Sequence, residues 1–246
     1  MYILFSLIFV SMKWHIFTYL LLFLFANYSC KETSYPQVLV DANNLCYTQP
    51  DSAVNLLKSI KNEMSHYPEK VQRYYQLLCI KADDKAYLPL TTDSLILPIV
   101  QYYTEKNNKS HLPEALFYAG RIYRDMGDAP RAISYFYRAK DAAHQDTPAE
   151  LRSLINNQMG RLFYQQCMYL EAKECYQTGY YYSYMGQDTI GMVYDLIDVS
   201  AACKELSMSD SALHYLREAD KLASIKQNQR LQGMISGKLA AQLTAI

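Results

Sequence analysis

The chain has 246 residues, half of them apolar, and its 24 basic residues balance 24 acidic ones. A chain this long can build a core without staples, and its neutral balance argues against nucleic-acid binding by this chain, which would leave a basic footprint. With 8 glycines and 8 prolines against 24 tyrosines, the composition disfavours a turn-rich all-β protein and predicts long helices with few breakers.

Residues 1–34 hold two apolar runs split by Lys13. A lysine near mid-membrane costs roughly 3 kcal/mol on insertion scales, which argues against one transmembrane helix across both runs. Read from Met12, residues 12–29 form a lipoprotein-type signal peptide. Lys13 is its positive n-region, residues 14–25 its apolar h-region and residues 26–29 the approach to cleavage. Residues 1–11 then read as an upstream extension from a mis-assigned start. Asn27-Tyr28-Ser29-Cys30 resembles a bacterial lipobox. Ser29 supplies the small residue before the cysteine, while Asn27 and Tyr28 depart from the usual leucine and small residue. The resemblance implies lipid attachment at Cys30, membrane contact through the N-terminal lipid, and a place in the cell envelope, periplasmic or surface-facing. Residues 30–36 serve as a polar tether. An ordinary signal peptide cut nearby and an uncleaved anchor are the alternatives.

Residues 37–110 predict two divergent helical hairpins. A helical pattern covers residues 38–47. Gln49-Pro50-Asp51-Ser52-Ala53 marks a turn and N-cap, and Val54, Leu57 and Ile60 continue an apolar stripe. Residues 71–81 read as another helix, and residues 85–92 as a loop around Pro89. Thr92-Asp93 then caps a helix running to about Lys106, bent near Pro98.

A repeat governs the remainder. Gly120-Arg121-Ile122-Tyr123 matches Gly160-Arg161-Leu162-Phe163 at an offset of 40 residues. Ala132, Phe136 and Ala139 match Ala172, Tyr176 and Gly179, and another step of 40 reaches Ser200, Ala212, Leu216 and Ala219. The units run over 111–146, 147–187 and 188–227, with a partial fourth at 228–246. The pattern resembles the tetratricopeptide repeat (TPR), a helix-turn-helix unit with small residues where helices A and B approach. On that resemblance Gly120 and Ala132 bring the backbones together, Tyr123 and Phe136 fill the flanking space, and Ala139 admits the next repeat. Gly127 suits a left-handed C′ position, Asp128 an N-cap, and Pro130 the first turn of helix B. The period of 40 residues exceeds the usual one of about 34. Cys167-Met168 replaces the turn glycine in the second unit, Ser209-Asp210-Ser211 predicts an N-cap in the third, and His144 stands in place of the closing proline. The order of lipobox, Pro-Asp-Ser-Ala turn, Thr-Thr-Asp-Ser-Leu helix start and repeats is similar to that of bacterial TPR lipoproteins. This implies an all-α, right-handed solenoid in which the two divergent hairpins of residues 37–110 are also TPR-like. Longer relatives add a membrane helix and a DNA-binding output domain.

The search for chemistry is brief. His15, His66, His111, His144 and His214 share no face or spacing, and no metal, phosphate-loop or nucleophile motif appears. Asp83-Asp84 reads as a solvated pair. The expectation is a non-catalytic chain with no cofactor and no metal site. Cys46, Cys79, Cys167, Cys175 and Cys203 read as small core filler, with a Cys175–Cys203 bridge as the alternative. Tyr180, Tyr181, Tyr182 and Tyr184 point around one helix, so some of them are exposed or cover the next repeat. The TPR resemblance implies a partner groove along the A helices, at Phe117, Arg121, Arg124 and Asp125, then Asn157, Arg161, Tyr164 and Gln165, then Lys204 and Glu205. Phe117 and Arg121 replace two positions of the carboxylate clamp that some relatives use. The function implied is a lipid-anchored scaffold for a protein or peptide partner. The alternatives are the sensing part of a membrane-linked regulator and a glycan-binding lipoprotein. Residues 231–246 predict a terminal A helix with more apolar surface than one neighbour covers, as in a truncated chain or one whose end pairs with another molecule; a natural cap packed on the helix of residues 209–225 is the alternative.

Overall fold

The computed structural model describes residues 35–226 and 228–243. The expected signal peptide, Cys30 and Ile246 lie outside the described residues. The chain divides into two compact units, Met1–Asp41 and Ala42–Ile246. Of the first, residues 35–41 are described, and they open helix α1 (Gln37–Thr48). The helices that follow are α2 (Pro50–Ser59), α3 (Lys61–Met64), α4 (Glu69–Lys85), α5 (Ile96–Glu105), α6 (Leu112–Asp125) and α7 (Ala129–Ala142). The remainder are α8 (Ala149–Gln165), α9 (Tyr169–Met185), α10 (Thr189–Glu205), α11 (Ser209–Ile225) and α12 (Gln229–Leu243). All regular structure among the described residues is helical. From α4 onward each helix packs on the next, as a stack of hairpins.

The turn between A and B helices shows why the period holds at 40. Tyr87, Gly127, Cys167 and Ser207 all adopt positive φ, at 57°, 79°, 59° and 57°. Each terminates an A helix in the same way. The amide of Asp128 donates to the Tyr123 carbonyl at 2.8 Å, Met168 to Phe163 at 2.9 Å, and Met208 to Cys203 at 2.9 Å. This left-handed cap satisfies carbonyls at the helix end that have no partner within the helix. Glycine takes the conformation freely, and only the first of the three units recognised in the sequence has one. The earliest of the four turns, at Tyr87, places α4 and α5 in the same register. The regular register therefore extends into the second of the two hairpins that the sequence marked as divergent. Glycine and alanine matching missed it because Ile80 and Ile99 occupy the small-residue positions.

The A–B contact is conserved in volume rather than in residue type. A Cβ added at Gly120 would lie 2.6 Å from the Phe136 ring, and one at Gly160 would lie 2.7 Å from the Tyr176 ring. In the next repeat Ser200 replaces the glycine and Leu216 replaces the ring. The Ser200 hydroxyl donates to the Ala212 carbonyl at 2.8 Å. In the earlier repeat Ile80 and Ile96 stand at these two positions, both buried in one cluster. A larger A residue accompanies a smaller B residue, which keeps the interior at constant density. The glycine thus makes room for the aromatic ring of helix B, so Phe136 sits over the close approach itself.

Local chemistry corrects several expectations. The Thr92-Asp93 helix begins later, at Ile96, so Pro98 falls in its first turn and needs no bend. Asp128 does cap α7, accepting from the Arg131 amide at 2.9 Å, and Asp188 caps α10 from the Gly191 amide at 2.9 Å. The residue preceding α11 is Met208, with no side-chain cap; Ser209 is already helical. Cys46 and Cys203 are buried and Cys167 is exposed, and all five described cysteines are free thiols. Tyr180 packs on the cluster of α10 and α11, Tyr182 lies under the Arg152 guanidinium at 5.1 Å, and Tyr181 and Tyr184 are exposed. In α12, Leu231 and Ile235 are buried in that same cluster. Its outward positions include Gly233, Ser236, Gly237, Ala240 and Ala241, with Met234 37% exposed. The terminal face is therefore built from smaller residues than expected.

Candidate functional site: the A-helix face

The register assigns equivalent positions on successive A helices. Lys81, Arg121, Arg161 and Ala201 share one position, and Asp84, Arg124, Tyr164 and Lys204 share another. Leu78, Tyr118, Gln158, Asp198 and Lys238 share a third. What each residue does depends on the helix beside it.

On α4 and α6 the charges are spent within the fold. Lys81 is 3% exposed. Its Nζ donates to Asn43 Oδ1 and Glu114 Oε1, both at 2.8 Å, and stands 4.6 Å from the Tyr47 ring centroid. Burial works against this charge, but Glu114 and Tyr47 more than offset it and hold Lys81 above the usual lysine range. Arg121 pairs with Asp84. Burial still pushes the Asp84 carboxyl up and Arg121 down, so desolvation outweighs their attraction. Asp84 is thus an interior partner, correcting the expectation that Asp83-Asp84 is a solvated pair. Arg124 donates to Asp125 at 2.9 Å and also to Gln158. Phe117, another expected groove residue, is 2% exposed and belongs to the core. Phe117 also borders a cavity of about 220 Å³ that Lys81, His111 and Glu114 line.

On α8, α10 and α12 the same face stays open. A cavity of about 680 Å³ is lined by Asn157, Arg161, Tyr164 and Gln165 of α8, Tyr194 and Asp198 of α10, and Lys238 of α12, among others. A second cavity of about 270 Å³ adjoins it through Tyr164 and Lys238, and it includes Lys204 and Glu205. Arg161, Lys204 and Lys238 are exposed, and among the described residues none forms an ion pair. Register explains the difference. Arg121 finds Asp84 on the preceding A helix, but the equivalent residue before Arg161 is Arg124, of like sign. The acid that shares its cavity is Asp198, one repeat later. Burial pushes its carboxyl up to about 6, with Arg161 and Lys238 pulling it back. Glu205 accepts from the Tyr164 hydroxyl at 3.3 Å.

Behind this face lies a polar knot. Asp195 is 1% exposed. It accepts from Ser183 Oγ and Asn157 Nδ2, each at 2.6 Å, and Ser153 Oγ lies 2.9 Å from Ser183 Oγ. Burial, with no cation beside it, pushes Asp195 up to about 7. Asn157 thus bridges the open cavity and the buried knot, and a Cβ at Gly179 would overlap its Oδ1.

Of the expected groove residues, Asn157, Arg161, Tyr164 and Gln165 come together at one cavity and Lys204 lines its neighbour, whereas Phe117, Arg121 and Arg124 lie elsewhere. Sequence reasoning missed Tyr194, Asp198 and Lys238. Stepping 40 residues from Leu154 and Gln158 would have found them. Among the described residues no group of three or more His, Cys, Asp or Glu is placed to hold a metal ion, and no helix is long and apolar enough to cross a membrane.

No family model and no curated protein matches the sequence. Solved structures do match the fold. The apo form of RapI is similar over 85% of this chain, with TM-score 0.71 and 12% identity, and the match covers 60% of the length of that chain. The TPR-like repeats of a putative kinesin light chain from Podosopora anserina are similar over 78% of this chain and 96% of theirs, with TM-score 0.55 and 12% identity. At such identities the likeness concerns architecture. The chain has an all-α, TPR-like hairpin solenoid fold.

Proposed function

We propose that this protein is a non-catalytic interaction scaffold, that a protein or peptide partner lies across α8, α10 and α12, and that lipid on Cys30 tethers it in the cell envelope. The observation that carries the partner site is the contrast in charge use. Among the described residues, exposed Arg161, Lys204 and Lys238 stand without ion pairs around adjoining cavities, while the cations upstream at the Arg161 and Lys204 positions are engaged within the fold. Concave faces with polar groups converging on an apolar wall are where ligands bind. The tether rests on the lipobox resemblance at Ser29-Cys30.

The test is a crosslinking pull-down from membranes with the full chain. The double variant Arg161→Glu, Lys204→Glu is expected to lose partner capture while keeping its melting temperature. Undiminished capture would remove the site. Mass spectrometry should find lipid on Cys30, and membrane retention of Cys30→Ala at the wild-type level would remove the tether.

A further inference from the structure

The larger cavity contains its own competitor for an anion. Asp198 shares that wall with Arg161 and Lys238, which come from the helices on either side, and pairs directly with neither. Tyr164, Tyr176 and Tyr194 supply ring surface around it. Counting both cavities, Arg161, Lys204 and Lys238 oppose Asp198 and Glu205, and Glu205 is already engaged by the Tyr164 hydroxyl. Among the described residues, the only carboxylate that lines the larger cavity with these two cations is therefore Asp198. We propose that the pocket takes a carboxylate side chain of an acidic peptide between Arg161 and Lys238, and that Asp198 sets its affinity by competing for the same two cations. This rests on the scaffold reading above and adds the chemistry of the partner.

Protonation of Asp198 removes the negative charge that faces both cations, so mildly acidic conditions favour the acidic peptide. The groups facing Asp198 are Arg161 and Tyr164 on α8, Tyr176 on α9, Asp195 on its own helix and Lys238 on α12. The tyrosines stay neutral across this range, because burial, joined at Tyr164 by Glu205 and Asp198, pushes both of them up. Asp195 titrates nearby, and its charge repels that of Asp198, so the two losses of negative charge act in the same direction. At the cavity mouth, one unit charge is worth a several-fold change in affinity.

The probe is a short acetylated peptide of alternating Glu and Gly, with a Gln-Gly counterpart, measured by calorimetry on the full chain at low salt. Wild type is expected to bind the Glu-Gly peptide roughly three- to tenfold tighter at about pH 5.5 than at about pH 8. Asp198→Asn should bind at about pH 8 as tightly as wild type does at about pH 5.5, with most of the pH dependence gone. Arg161→Gln and Lys238→Gln should each weaken binding at both values, with unchanged melting temperature. Wild-type affinity in Asp198→Asn would overturn the proposal. Equal binding of the two peptides, with both lost in Arg161→Gln, would overturn it while leaving the groove as a peptide site. Binding of neither peptide would overturn it as well, and the membrane pull-down tests the broader reading separately.

Discussion

The two ends of the A-helix face use the same residue type in opposite ways. Arg121 and Arg161 follow equivalent glycines in the nearly matching strings Gly-Arg-Ile-Tyr and Gly-Arg-Leu-Phe. Arg121 is locked to Asp84 in a partly buried pair, whereas Arg161 is exposed beside an open cavity. Charge consumed inside the fold holds one repeat against the next, and charge left over is available to a ligand. Repeat proteins are sums of similar units and nearest-neighbour interfaces, so function enters where a neighbour fails to supply the complement.

The largest test of that contrast is to remove a partner from each end. Glu114→Ala leaves Lys81 buried without its carboxylate and should cost about 3–5 kcal/mol. Arg161→Gln should stay within about 0.5 kcal/mol. Urea melts of both variants would check this, and equal costs would erase the distinction.

Next come the glycines, which test whether both ends stand on one scaffold. Gly120→Leu and Gly160→Leu should each cost about 1–3 kcal/mol or more by overpacking against the helix B ring. The pair Gly160→Ser, Tyr176→Leu copies the Ser200–Leu216 solution and should recover most of what Gly160→Ser alone loses. Thermal melting that shows no recovery would refute the volume exchange between helices A and B.

Burial raises carboxyls at both ends, Asp84 included, but most strongly at the open end, which should therefore carry the larger pH sensitivity. Asp195 and Asp198 have folded pKa values of about 7 and about 6 against 3.8 for the free group. In the window from about 4 to 7 the folded chain holds more protons at these sites than the unfolded chain. Their contribution is therefore greatest at the acidic end and is lost as pH rises through the window. Asp195→Asn should flatten this slope, as read from denaturation midpoints between those limits.

The smallest effect belongs to the turns. Gly127→Ala should destabilise by about 1 kcal/mol, and Cys167→Gly and Ser207→Gly should stabilise by a similar amount, since all three positions are left-handed. Differential scanning calorimetry of the three variants would show whether the turn is equivalent in every repeat.

The sequence by itself determined the helices and the hairpin spacing, and it marked the glycine of helix A and the ring of helix B, though not that the ring lies directly over the glycine. Each of these follows from residues within one repeat, where period, capping and side-chain volume act locally. It read the α4–α5 hairpin as divergent and did not reveal its shared register, because isoleucines there fill space that glycine and a ring fill later. Nor did it separate Arg121 from Arg161, whose immediate neighbours are nearly the same. That separation belongs to the tertiary structure. A charge is neutralised by whatever the adjacent helix presents about forty residues away in sequence, Asp84 for Arg121 and Arg124 for Arg161. Only the packed stack decides which cations face a carboxylate and which face an open cavity.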